Sequence, residues 1–193
     1  MHLVWPAEEY LPGYIDAIER GWSPDNLRPE AGHEELAMII SDRREFMARQ
    51  VDPTGAGPAI TLPDGSVVPR LPGYRRWFSD GEFCGVIGFR WKPGTSELPP
   101  YCLGHIGFSV VPWKRRRGYA TRGLRLLLAE IPREDFDYVE LTTDVSNVGS
   151  QRVIEANGGV RVETFFKPAS LGGAESYRYR IYFRSPAASA LLP

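Results

Sequence analysis

The stretch Val110-Val111-Pro112-Trp113-Lys114-Arg115-Arg116-Arg117-Gly118-Tyr119-Ala120-Thr121 constrains this chain more than any other. An apolar strand runs into a basic turn that carries a glycine. A helix follows, with Leu124, Leu127, Leu128 and Ile131 on one face. That order aims a row of backbone N–H groups and the positive end of a helix at one point, which makes the point an anion site. Arg115, Arg116 and Arg117 add full charges and bidentate donors that suit phosphate. A nucleotide P-loop fits poorly, because no Gly-Lys-Ser/Thr follows the glycine.

The basic turn stands on a neutral background. The formal net charge is −1, so bulk electrostatics draw the chain to neither nucleic acid nor membrane. No apolar run approaches the roughly 20 residues needed to span a bilayer, and no signal-peptide pattern opens the chain. Cys84 and Cys102 cannot build a disulfide framework, so a reduced, cytoplasmic compartment is expected. At 193 residues and 42% hydrophobic content, one domain over residues 1–184 is expected, with a loose Ala/Leu/Ser/Pro tail at 185–193.

Periodicity supplies the remaining elements. Residues 2–5 suit a short strand. Leu11, Tyr14, Ile15 and Ile18 have helical spacing, stopped by Gly21, and 22–31 reads as a loop. Two short helices follow, one through Leu36, Ile39 and Ile40, the other through Phe46, Met47 and Val51, with Ser41 or Asp42 at their junction. Hairpins are expected around Pro63-Asp64-Gly65-Ser66 and around Ser79-Asp80-Gly81-Glu82. After these come a strand at 103–111, the helix at 119–131 and a strand at 136–143. A helix over 148–156 is capped by Asn147, and strands at 160–166 and 177–183 close the series. This order predicts an α/β fold: a mixed, mostly antiparallel sheet with helices on both faces and a right-handed parallel crossover at 103–143.

On these residues the chain resembles the GCN5-related N-acetyltransferase (GNAT) superfamily. Arg115-Arg116-Arg117-Gly118-Tyr119-Ala120 matches that family's Arg/Gln-x-x-Gly-x-Gly/Ala signature at the expected strand–helix junction. Asn147-x-x-Ser150, a helix and Asn157-Gly158-Gly159 match a second family feature. The resemblance implies acetyl-CoA as cosubstrate, no metal, and a small-molecule or peptide amine as acceptor. It implies that the amides from Arg116 to Thr121 cradle the CoA pyrophosphate, with Arg115 and Arg117 beside them. Val110 and Val111 would bond the pantetheine arm like an added strand. Asn147 and Ser150 are candidate contacts along that arm, Asn147 being also a plain helix cap.

Amine acetylation needs the attacking nitrogen freed of its proton and a donor for the oxyanion. His105, where many relatives carry a glutamate, is a candidate base, or else a hydrogen-bonded core histidine. Glu82, beside the second hairpin turn, is a second candidate base, or turn chemistry. Glu140 is a charge in an apolar strand that contacts the acceptor or pairs with an arginine. Trp77, Phe78, Trp91, Tyr101 and Trp113 wall an acceptor pocket or pack the core. Asp80, Glu82 and Asp144 are charges that attract a cationic amine or are simply solvated. Ile154 stands where many relatives have the tyrosine acid, a departure that keeps open a non-catalytic acyl-CoA-binding module. Strands near 176–184 are candidates to pair across a homodimer.

Overall fold

The computed structural model describes residues 1–183 apart from Leu27 and Pro63; the tail at 185–193 and the Pro63 corner of the first hairpin lie outside the described residues. In chain order the elements are β1 (His2–Val4), α1 (Leu11–Glu19), α2 (Ala31–Ser41), α3 (Arg43–Arg49), β2 (Val51–Asp52), β3 (Ile60–Thr61), β4 (Val67–Val68), β5 (Gly73–Ser79), β6 (Phe83–Arg90), β7 (Ile106–Val110), α4 (Tyr119–Glu130), β8 (Tyr138–Asp144), α5 (Val148–Glu155), β9 (Val160–Phe166) and β10 (Glu175–Tyr182). Of the two residues expected at the junction, Asp42 separates α2 from α3 by accepting from the Glu45 N–H. Val51 leaves the helical pattern and pairs with Tyr74 as part of β2.

The strands form two main sheets, where the sequence suggested one. The first has the order β1-β5-β6-β7 with β2 also on β5; the second is β8-β10-β9; β3 and β4 make a separate ribbon. Their pairings are antiparallel. The expected parallel ladder across the 103–143 crossover does not form, because β7 and β8 end up in different sheets. Strand β10 lies between β8 and β9, so it has no free edge with which to build a dimer. The outer strand β9 leaves Val160, Val162 and Phe166 exposed, and its pairing slips by one residue opposite Arg178 and Tyr179.

Alternation along β5 and β6 sends side chains to two cores. Phe78, Cys84, Ile87 and Phe89 meet Leu124, Leu127 and Leu128 of α4. Trp77, Phe83 and Val86 meet Leu11, Tyr14 and Ile18 of α1, with Ile39 and Phe46 behind them. Tyr14 stacks on Trp77 at 4.8 Å and meets the edges of Trp22 and Phe83 at 5.6 and 5.1 Å. The first sheet is therefore covered on both faces, as the order of elements implied.

Helix α4 lies close over β5 because Gly123 faces the Phe78 ring, where a Cβ would come within 2.8 Å of Cζ and nearer still to Cε1. Phe78 is fully buried and has no room to yield. Gly123→Ala is expected to lower unfolding free energy by about 1–3 kcal/mol despite alanine's better helix propensity. Urea denaturation of the two proteins measures the difference.

Candidate active site

Strands β7 and β8 touch at one point and then part. There the His105 N–H donates to the Glu140 carbonyl at 2.8 Å, and the Glu140 N–H donates to His105 Nδ1 at 2.9 Å. Beyond that point β7 is paired on its β6 side alone. The Val111 N–H donates to Cys84 O at 3.0 Å and the Arg90 N–H to His105 O at 2.9 Å. Antiparallel alternation therefore turns the peptide groups of the odd-numbered residues toward β6 and those of Phe108 and Val110 toward the gap. Two side chains already use that edge: Asn26 Nδ2 donates to Phe108 O at 2.7 Å, and Arg115 Nε donates to Val110 O at 3.0 Å. Val110, one of the two residues expected to meet the pantetheine arm, lies on the open edge. Val111 does not, because its N–H is committed to Cys84, and Phe108 takes its place on the open edge.

The basic turn follows β7 directly. Residues Arg115 to Gly118 are exposed. Arg116 and Gly118 both adopt left-handed backbone, with φ of 63° and 73°. Helical bonding in α4 begins with the Arg122 N–H donating to Gly118 O. The N–H groups of Tyr119, Ala120 and Thr121 thus have no partner within the helix. Nothing lies within 4 Å of the place a Cβ on Gly118 would occupy. Free amides, the helix dipole and open space converge there, a combination that fits a diphosphate. The Arg115 N–H is bonded to Pro112 O, so Arg115 offers its side chain to this site and not its amide.

Loop 21–30 closes the other face of β7. Trp22 Nε1 donates to Ser109 Oγ at 2.9 Å, and Ser109 Oγ donates to Ser23 O at 3.0 Å. With Asn26, these bonds fasten the α1–α2 loop to the strand that carries the open edge.

The chain now has two features at one place: an anion cradle at a helix start and an unpaired strand edge leading from it. The Acetyltransferase (GNAT) domain family matches residues 18–160. The chain belongs to the GNAT acetyltransferase family. No curated protein sequence matches it. The fold is shared with solved structures. RimL, the ribosomal L7/L12 α-N-protein acetyltransferase, in complex with coenzyme A, superposes with a TM-score of 0.62 at 15% identity, over 93% of this chain and 92% of its own. The Microcin C7 self-immunity acetyltransferase MccE, in complex with acetyl-CoA and AMP, gives 0.58 at 13% identity over 93% and 91%. An acetyltransferase from Salmonella typhimurium that modifies the N-terminal serine of ribosomal protein L7/L12 gives 0.59 at 14% over 93% and 93%.

Other candidates in this acetyltransferase fall as follows. His105 is fully buried between the rings of Phe89 and Phe136. Burial, then the charge of Arg90, pushes its pKa down to about 4. Because Nδ1 accepts from Glu140, the neutral ring carries its proton on Nε2, which has no partner. Neither nitrogen offers a free lone pair, so the geometry is that of a strand-holding core histidine and not of a general base. Glu82 is 76% exposed and ion-paired to Lys114 at 2.7 Å. Glu140 pairs with Arg178 at 3.0 Å and Arg180 at 2.9 Å, the structural alternative of the two open for it. Asn147 caps α5 by accepting from the Ser150 N–H at 3.1 Å. Ile154 is buried in the core. Trp77 and Phe78 are core residues, and Trp113 stacks under Arg20 at 3.4 Å. Asp144 bonds Ser176 Oγ at 3.0 Å and pairs with Lys167. Among the described residues no His, Cys, Asp or Glu cluster is placed to hold a metal, and no helix is long and apolar enough to cross a membrane.

Asn26 and Phe108, which meet at the open edge of β7, were not singled out in the sequence. Each depends on a contact between segments distant in the chain.

The lowered His105 pKa sets a pH dependence. The unfolded chain binds this proton near pH 6.5 and the folded one near 4, so stability is full above 6.5 and falls as pH drops toward 4. About 2 kcal/mol is expected to be lost by pH 5. Denaturant midpoints between pH 7 and 5 should show this loss in the wild type and much less of it in His105→Asn.

Proposed function

We propose that the chain transfers the acetyl group of acetyl-CoA to a primary amine of a small molecule or peptide, by direct attack in a ternary complex. The observation that carries this reading is the run of amides at Tyr119–Thr121, without a partner inside the helix, beside the open edge of Phe108 and Val110. The diphosphate would lie on the cradle and the pantetheine arm along that edge. The arm would take the two carbonyls now held by Asn26 and Arg115. The acetyl group would then reach the narrow end of the gap, where the amine arrives from the side of loop 21–30. The neighbours fit this class, since RimL and the Salmonella enzyme act on protein N-terminal amines and MccE confers microcin immunity.

Direct attack is preferred over an acyl-enzyme. Cys84 is fully buried, and burial, then the Asp80 carboxylate, pushes its thiol up to about 11. Cys102 is buried as well. The acceptor nitrogen loses its proton to solvent, and His105 serves by holding the strands at the angle that opens the gap. Asn147 and Ser150 are kept as contacts for the arm's outer part through groups left over from capping.

One observation favours a second reading. Ile154 fills the core at the position where the family resemblance puts a tyrosine, as in an acyl-CoA sensor without catalysis. Release of CoA-SH with a panel of amines decides: tight CoA binding with no thiol release from any amine supports the sensor.

Gly118→Val is expected to weaken CoA binding at least about tenfold, because a β-branched residue resists φ near +73° and adds bulk in the cradle. Calorimetry showing wild-type affinity would remove the loop from the site. The imidazole is already neutral above pH 5. The rate at saturating acetyl-CoA should therefore climb with the acceptor amine's own ionisation, near pH 8 for a peptide α-amine and near 10 for a lysine-like amine. An inflection at about 6.5 that vanishes in His105→Asn would restore His105 as the base.

A further inference from the structure

The β5–β6 turn reaches over to the phosphate loop and grips it at two places. Asp80 accepts from Lys114 Nζ at 3.1 Å through Oδ1 and 3.0 Å through Oδ2, and from the Tyr119 hydroxyl at 2.6 Å through Oδ2. Lys114 immediately precedes the exposed run Arg115–Gly118, and Tyr119 immediately follows it. One carboxylate therefore holds both stems of the loop. The turn is itself set by local bonds, with the Asp80 N–H donating to Glu82 O and the Glu82 N–H donating to Asp80 Oδ1, each at 3.3 Å. The Lys114 and Asp80 side chains are only 11% and 17% exposed, so solvent screens their pair weakly.

We propose that Asp80 is a positioning residue for the diphosphate cradle, acting through Lys114 and Tyr119 to fix the loop before the cofactor arrives. The proposal rests on the acetyl-CoA reading above. Four exposed residues, two of them in left-handed backbone, have little packing of their own to hold them. A loop ordered in advance loses less freedom on binding.

Charge alone argues the other way, which makes the proposal decidable. Asp80 and Glu82 together outweigh the single charge of Lys114. A nearby anionic ligand would be repelled by that excess, so deleting Asp80 would strengthen anion binding if electrostatics ruled. Positioning requires that deletion weaken it.

The test is titration calorimetry with CoA and with 3′-phosphoadenosine 5′-diphosphate, which keeps the diphosphate and lacks the arm. Asp80→Ala is expected to weaken both ligands by a similar factor, about tenfold or more. Asp80→Asn, whose amide oxygen still accepts from Tyr119, should recover part of the loss. Tyr119→Phe should lose a few-fold, and it carries the test if Asp80→Ala fails to fold. A general weakening of the fold would instead lower the melting temperature without the matched loss on the two ligands or the partial rescue. Unchanged or tighter binding in Asp80→Ala overturns the proposal, as does a loss confined to CoA. Wild-type protein that binds neither ligand overturns the acetyl-CoA reading and this proposal together; wild-type binding with an indifferent Asp80→Ala overturns this proposal alone.

Discussion

Two sheets meet where His105 and Glu140 exchange a pair of hydrogen bonds, and the site is arranged around that joint. His105 gives its N–H to Glu140 and takes the Glu140 N–H on its ring. The second bond exists only while the imidazole is neutral, and burial between Phe89 and Phe136 keeps it so. Glu140 is steadied in turn by Arg178 and Arg180, so its buried charge is not left alone. Fixing the strands at one end allows them to diverge at the other without loosening either sheet. The divergence leaves one side of β7 without a partner strand, next to the anion cradle.

On the proposed reading a single strand would serve both reactants. On one side its peptide groups line the gap, with Asn26 and Arg115 covering two carbonyls. On its face, Ser109 is bonded to Trp22 and Ser23 of the α1–α2 loop. The cradle begins where the strand ends. Within the cradle, Arg116 holds left-handed backbone without being a glycine.

Much of this was legible in the sequence wherever the cause is local. The Leu-rich face of α4, the turns at Asp64-Gly65 and Asp80-Gly81, the cap at Asn147 and the glycine before α4 are fixed by neighbours within a few residues. The basic turn could be placed at its strand–helix junction for the same reason. What was not legible depends on register and strand order. Which of Val110 and Val111 faces the gap is decided by pairing with Gly85 and Cys84, some 25 residues away. The choice between base and core for His105 is decided by Glu140, and Asp80's role by Lys114 and Tyr119. The single sheet expected from the element order became two because a strand–helix–strand unit does not reveal whether its strands stay paired along their length.

The slip in β9 has a consequence for life at high concentration. Its outer rim carries Val160, Val162 and Phe166 in water, a greasy border of the kind that invites stacking into fibres. The one-residue bulge opposite Arg178 and Tyr179 kinks that border, so successive peptide groups no longer point along one line. An incoming chain would meet a broken template, which makes this oily rim a poorer seed for strand addition than a straight one.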